Sequence, residues 1–220
     1  GPRRDPQLPS KHRLYALFMA AAPREERHLD FECEEWAILR ATGSIGMDLV
    51  VEESGVLERL AESLVGREVP DVLHLSCHGS CDPVPSLLLE DDFGGRRTVT
   101  IDDVASALGT RLPRLLFLSA CNSASPDRLL SSFAATLVRR GAPAVLGWGG
   151  SVKDAEATRF SEAFYRHLAH GEPLSAALAL ARSDLVRPDP GDVVASSRDW
   201  HLARLYLGPT GGGVLSRGRT

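Results

Sequence analysis

Cys121 and His78 are the two side chains whose chemistry could be joined in one reaction. Each follows a short apolar run that reads as a buried strand. Val72-Leu73-His74-Leu75-Ser76-Cys77 leads into His78-Gly79, and Leu115-Leu116-Phe117-Leu118-Ser119-Ala120 leads into Cys121. A thiol beside an imidazole exists partly as thiolate, the nucleophilic form. The imidazole can then protonate a leaving amine. If the two strands are neighbours, His78 and Cys121 project over one sheet edge and suit acyl transfer through sulfur. Taken singly, a cysteine at a strand end is more often a small buried hydrophobe, and a lone histidine a satisfied core residue. The pairing is what separates these two from that background. His74, four residues before His78, reads as a core residue or a support for the pair.

Other groupings carry less. Cys77, His78 and Cys81 suggest zinc, but no second ligand pair at metal spacing accompanies them. Gly147-Trp148-Gly149-Gly150-Ser151 lacks the Gly-Lys-Ser/Thr ending of a phosphate loop, and the first apolar run lacks Gly-x-Gly-x-x-Gly. No cofactor or metal is therefore expected. Glu90-Asp91-Asp92 reads as a solvated loop tip.

Apolar patterning supplies the elements that must hold the pair. Leu14 to Ala20 is a strand buried on both faces. Asp30 caps a helix through Thr42, with Leu29, Cys33, Trp36 and Ala37 on its inner face and Gly43 at its end. Met47 to Glu52 is a second strand, and Leu57, Leu60, Ala61 and Leu64 form a helix stopped by Gly66. Leu87–Leu89 and Arg97–Thr100 read as a small peripheral hairpin. Thr100 caps a short helix carrying Ile101, Val104, Ala105 and Leu108. Ser125-Pro126 starts a helix with Leu130, Phe133, Ala134, Leu137 and Val138 inward, ended by Gly141. Ala144 to Trp148 is the fifth strand. Two helices follow, burying Ala157, Phe160, Phe164 and Leu168, then Leu174, Ala177, Leu178, Ala181 and Leu185. Trp200 to Leu207 is the last strand. Strand and helix alternate throughout, which predicts one α/β domain: a mainly parallel sheet of about six strands with helices on both faces and function at the strands' carboxyl ends. Residues 13–208 make this domain, 1–12 a disordered leader and 209–220 a flexible tail.

The chain has 220 residues, is 43% hydrophobic and 25% charged, and carries a net charge of −4. A nucleic-acid-binding domain would show a basic excess, so that class is set aside. No apolar run approaches the roughly 18 residues needed to cross a bilayer, and no secretory signal opens the chain. Gly1-Pro2 reads as the scar of a cleaved tag, so the natural chain is expected to extend further. The four cysteines are expected as free thiols in a cytoplasmic protein.

His74-Leu75-Ser76-Cys77-His78-Gly79 and Leu118-Ser119-Ala120-Cys121-Asn122 resemble the His-Gly and Ser-Ala-Cys motifs of the bacterial CHAT family, caspase-like cysteine peptidases of clan CD. Arg140 to Trp148 is similar to that family's following strand, and Phe160, Phe164-Tyr165, Leu168, Gly171 and Ala176-Ala177-Leu178 resemble its closing helices. The likeness covers nearly the whole chain. Against the caspase signature Gln-Ala-Cys-x-Gly, this chain departs with Ser119 for Gln and Ser123 for Gly.

The resemblance implies a caspase-like three-layer sandwich and an endopeptidase acting on a protein substrate. Cys121 would be the nucleophile and His78 the general acid/base, with the oxyanion held by the backbone N–H groups of Gly79 and Cys121. A glycine at 79 would let a substrate carbonyl approach the backbone. Relatives that cut after Arg or Lys often carry an acid two residues before the nucleophile, where this chain has Ser119. Caspases that cut after Asp use an Arg near the end of the first strand, where this chain has Ala20 and, further on, Arg24. An uncharged residue before the scissile bond is the expectation, with Arg24 keeping an acidic one open. Asp82 and Asp154 are the acids that would serve a basic one. Trp148 and Gly149 would line a subsite. The resemblance also implies a regulatory domain or activating partner that orders loops 80–100, 122–126 and 149–155, and a setting in antiviral defence or programmed cell death. Two other classes stand beside this reading: an inactive caspase-like interaction module, and a nucleotide- or flavin-binding α/β domain.

Overall fold

The computed structural model describes residues 13–27, 29–43, 47–65, 67–121, 126–186 and 197–215, with Cys121 and Pro126 described by backbone alone. The expected leader 1–12, the stop at Gly66 and the cap at Ser125 lie outside these residues. In chain order the elements are β1 (Leu14–Ala20), α1 (Phe31–Thr42), β2 (Met47–Glu52), α2 (Leu57–Leu64), β3 (Val72–Ser80), β4 (Ser86–Glu90), β5 (Arg96–Thr100), α3 (Ile101–Leu108), β6 (Leu115–Cys121), α4 (Pro126–Arg139), β7 (Ala144–Trp148), α5 (Asp154–Ala169), α6 (Leu174–Val186) and β8 (Ala203–Leu207).

The sheet runs β2-β1-β3-β6-β7-β8, with β4 and β5 branching from β3. The first five strands of that path are parallel, and β8 closes antiparallel on β7. Continuously apolar strands must be covered on both faces, and two separate cores do this. Ile38 of α1, Phe160 and Phe164 of α5 and Ala177 of α6 pack on one face. Leu60 of α2, Val104 of α3 and Phe133 and Leu137 of α4 pack on the other. Thr100 and Asp103 form the capping box that starts α3, and Gly141, at φ +100°, turns the chain out of α4. No helix among the described residues is long and apolar enough to cross a membrane.

Five expectations need correction. The hairpin is not peripheral: β4 pairs antiparallel with β3 at His78, Gly79 and Ser80. Only residues 81–85 of the supposed loop 80–100 are irregular before the turn at 91–95. Helix α1 is rotated from its expected phase, burying Glu34, Ala37, Ile38 and Thr42 while Cys33 is exposed and Trp36 is 61% exposed. The reason is chemical: the sheet presents serines and a histidine to position 34, whereas Trp36 stacks under the Arg40 guanidinium 4.7 Å away. The last strand begins at Ala203, leaving Trp200 40% exposed. The tail is held well past 209, because Val214 bridges Pro173 and Leu215 is buried. Residues 216–220 lie outside the description.

Candidate functional site

Strands β3 and β6 run side by side in a register that sets His74 opposite Phe117, Ser76 opposite Ser119 and His78 opposite Cys121. Alternate residues of a strand share a face, so positions 74, 76 and 78 and positions 117, 119 and 121 belong to the face covered by α1 and α5. Strand β1 accompanies β3 only as far as Ala20 opposite Ser76. Beyond that point β4 takes its place, with Leu88 opposite His78. The chain leaving β1 is thereby released to cross above the strand ends.

That crossing segment determines the state of His78. Nε2 of His78 lies 2.6 Å from the carbonyl oxygen of Arg27. A carbonyl only accepts, so Nε2 carries the hydrogen and the neutral ring keeps its lone pair on Nδ1. Nδ1 is buried and has no hydrogen-bond partner among the described residues. The imidazole is thus held as one tautomer with its basic nitrogen uncommitted. Segment 21–27 is itself tied down: Ala21 N–H donates to the Ser76 carbonyl at 2.9 Å, Ala22 N–H to Glu90 Oε1 at 2.9 Å and Arg24 N–H to the Gly94 carbonyl at 3.2 Å. Arg96 N–H donates to Glu25 at 2.8 Å and its guanidinium to Glu26 at 2.9 Å. The hairpin that branches from β3 is therefore the clamp on the segment that orients His78.

One row below the pair, Glu34 of α1 is buried among hydroxyls. Ser161 donates to Oε1 at 2.6 Å, Ser76 to Oε2 at 2.9 Å and Ser119 to Oε1 at 3.3 Å. His74 Nε2 is 3.4 Å from Oε1, close enough for charge attraction but without hydrogen-bond alignment. Burial is the largest single influence on this carboxyl and raises its pKa, yet His74 and the serine hydroxyls outweigh it and hold the pKa below the ordinary value. His74 stacks on Phe117 at 4.3 Å between ring centres, and its Nδ1 is 3.1 Å from the Tyr165 hydroxyl. Above this row opens a small, partly open pocket lined by Asp30, Glu34, Ser76, Ser119 and Asp154, with Leu29 and Phe31 on its apolar wall.

The structure gathers only some of the residues nominated from sequence. His78, Cys121, Ser119 and Asp154 converge on this face, and Ala20 sits beside Ser76. Gly79 has the opposite parity: a Cβ there would come within 2.3 Å of Leu129 Cδ2. Its missing side chain makes room for α4, a reason for glycine that the expected substrate approach does not require. Trp148 is buried rather than lining the pocket, its Nε1 donating to Ser119 Oγ at 3.4 Å. Gly149 is covered by the Arg204 side chain. Arg24 packs by the turn at Gly94, and Asp82 is exposed on the loop after β3. Neither reaches the pocket.

Two participants escaped the sequence reading. The Arg27 carbonyl leaves no trace in residue type. Glu34 did leave one: a helix that buries Ile38 and Thr42 also turns position 34 inward. The thiols differ sharply. Burial pushes Cys77 up to about 12, and Cys33 is raised, chiefly by its hydrogen bond with Asp30.

Comparison with known proteins adds to this geometry. A family model described as the CHAT domain matches residues 3–207. The crystal structure of caspase-1 from Spodoptera frugiperda is similar with a TM-score of 0.58, covering 98% of this chain and 96% of that one at 11% identity. An identity so low speaks for the fold. No curated protein sequence matches significantly.

Proposed function

Because the chain belongs to the CHAT domain family, whose fold here is caspase-like, we propose that it is a cysteine endopeptidase using Cys121 and His78. The observation that carries this reading is the pairing of position 121 with a histidine whose tautomer leaves Nδ1 basic and unpartnered among the described residues. In the proposed reaction Nδ1 takes the thiol proton and the sulfur attacks the scissile carbonyl carbon. The oxyanion is held by the N–H groups of Gly79 and Cys121. Collapse breaks the C–N bond, and the amine leaves with the proton from Nδ1. Water, deprotonated by the same nitrogen, then cleaves the thioester and returns the free thiol.

His78 is only 2% exposed, so a peptide must displace part of the cover above it. This supports regulation by a neighbouring domain or activating partner acting on segments 21–27, 122–126 and 149–155. The cellular setting proposed with it is cytoplasmic, in bacterial defence or cell death. A peptidyl acyloxymethyl ketone, which alkylates an activated thiolate, tests the reading. Mass spectrometry should find Cys121 modified ahead of Cys33, Cys77 and Cys81, and modification should vanish in His78→Ala. Equal or absent labelling at Cys121, with no cleavage of any protein, would leave a non-cutting interaction module.

A further inference from the structure

Resting on the peptidase reading, the structure assigns a substrate class: we infer that the pocket floored by Glu34 takes the residue on the amino side of the scissile bond, and that this residue is basic, arginine above lysine.

Position comes first. Ser76 and Ser119 each stand two residues before the paired positions 78 and 121 on parallel strands. Two residues of strand span about 6.6 Å, which is the reach of an extended arginine or lysine side chain from its Cα. A peptide whose carbonyl carbon lies at position 121 therefore drops its next side chain down the same face into this pocket.

Charge comes second. Asp30, Glu34 and Asp154 all line the pocket, and no lysine or arginine does so among the described residues. Asp154 opens α5 and Asp30 precedes α1, where each helix end offers only about half a positive charge. With His74 counted against Glu34, the pocket still holds a negative excess. The cations of α5 are engaged elsewhere, Arg159 with Glu156 at 3.1 Å and Arg166 with Asp184 at 2.8 Å, so neither is paired with Asp154.

Hydrogen-bond polarity comes third. A serine has one hydrogen to give. Ser76 and Ser119 both spend theirs on Glu34, so their oxygens can only accept, and that of Ser119 already takes one hydrogen bond from Trp148. A pocket of carboxylates and acceptor hydroxyls repels an aspartate or glutamate and leaves an aliphatic side chain facing unsatisfied polar atoms. A guanidinium, with five donors in a planar fork, satisfies it best.

Two measurements test this, one without catalysis. In Cys121→Ala, agmatine, an isolated arginine-like side chain, should bind in calorimetry or NMR titration. Asp154→Asn should weaken that binding about tenfold, the effect of one lost charge contact of ~1.4 kcal/mol. In the active chain, fluorogenic peptides varied only at the residue before the scissile bond should be cut after Arg and Lys, and Asp154→Asn should lower the Arg-to-Leu ratio of kcat/KM by a similar factor. Asp154 is used because Glu34 is so enmeshed that its replacement risks the fold. Cleavage after neutral or acidic residues without agmatine binding overturns the inference and leaves the peptidase standing. Agmatine binding with no peptide or protein cut supports the pocket and sinks the peptidase.

Discussion

His78 stands directly opposite Cys121 on the β3–β6 ladder, in register with the serine pair Ser76 and Ser119 one step below. Neighbouring strands lie about 4.8 Å apart, so the backbone itself brings the two positions within reach of a shared proton. Strand β4 takes over from β1 at that level, and the segment so released supplies the carbonyl that fixes the imidazole. Sheet branching, tautomer and register are one construction.

Cys121→Ala should reduce cleavage by at least ~10³-fold, since removing a nucleophile that acts with its base forfeits the whole covalent route. Far-UV circular dichroism and Tm should be little altered. His78→Ala should cost a comparable factor. Cleavage persisting in either variant would refute the assignment.

Gly79→Ala should destabilise the fold by ~1–3 kcal/mol, the usual range for forcing a methyl into packed surroundings. Leu129 Cδ2 would sit 2.3 Å from the new carbon. Denaturant titration should show the loss, and pairing the change with Leu129→Ala should cost less than the sum of the two. Additive losses would show that the glycine serves something other than room for α4.

At pH 7 the buried Cys77, with its pKa pushed to about 12, holds roughly one thiolate in 10⁵ molecules. Iodoacetamide should leave it untouched until the protein unfolds. Cys33 is exposed but raised by Asp30, so it should alkylate more slowly than a free cysteine. Asp30→Asn should speed it. Rapid native-state alkylation of Cys77 would contradict the burial that the fold imposes on β3.

Most strand positions were readable because a strand buried on both faces, such as Leu14–Ala20, leaves an uninterrupted apolar run. The pair His78 and Cys121 was readable because both terminate such runs. Helix α1 was misphased because Cys33 and Trp36 outrank Glu34 in hydrophobicity. What reverses that order is a set of partners from β3, β6 and α5, far away in sequence. Arg27 acts through its backbone, which no side-chain pattern reports. The pairing of β4 with β3 depends on where β1 stops, a property of three strands together.

Glu90 offers a test of the clamp at a distance from the pair. Its carboxylate accepts the Ala22 N–H at 2.9 Å, and Glu90→Ala leaves that donor without its partner at a cost of ~1–3 kcal/mol. The expected consequence is a looser segment 21–27 and a less defined His78. In the proposed peptidase kcat should fall several-fold with KM little changed, and the His78 ring signals in NMR should broaden. An unaltered His78 spectrum would show that the hairpin does not control the imidazole.

Acid should act through Glu34. Its carboxyl has a folded-state pKa below the ordinary value, because His74 of β3 and the hydroxyls of Ser76 and Ser161 favour the ion more than burial disfavours it. A group of this sign adds stability that is fully present above the unfolded value, about 4.3. That stability is lost as pH falls from there toward the folded value, since the native state resists taking the proton. Tyr165, also packed against His74, stays neutral throughout, its pKa raised by burial. Glu34→Gln has no such titration and loses the charge attraction at every pH. Its Tm should therefore lie well below that of the unsubstituted chain at pH 7, and the gap should narrow as pH drops below about 4.3. Parallel Tm curves for the two proteins between neutral and acid pH would mean that the carboxylate is not the ion that this network is built to hold.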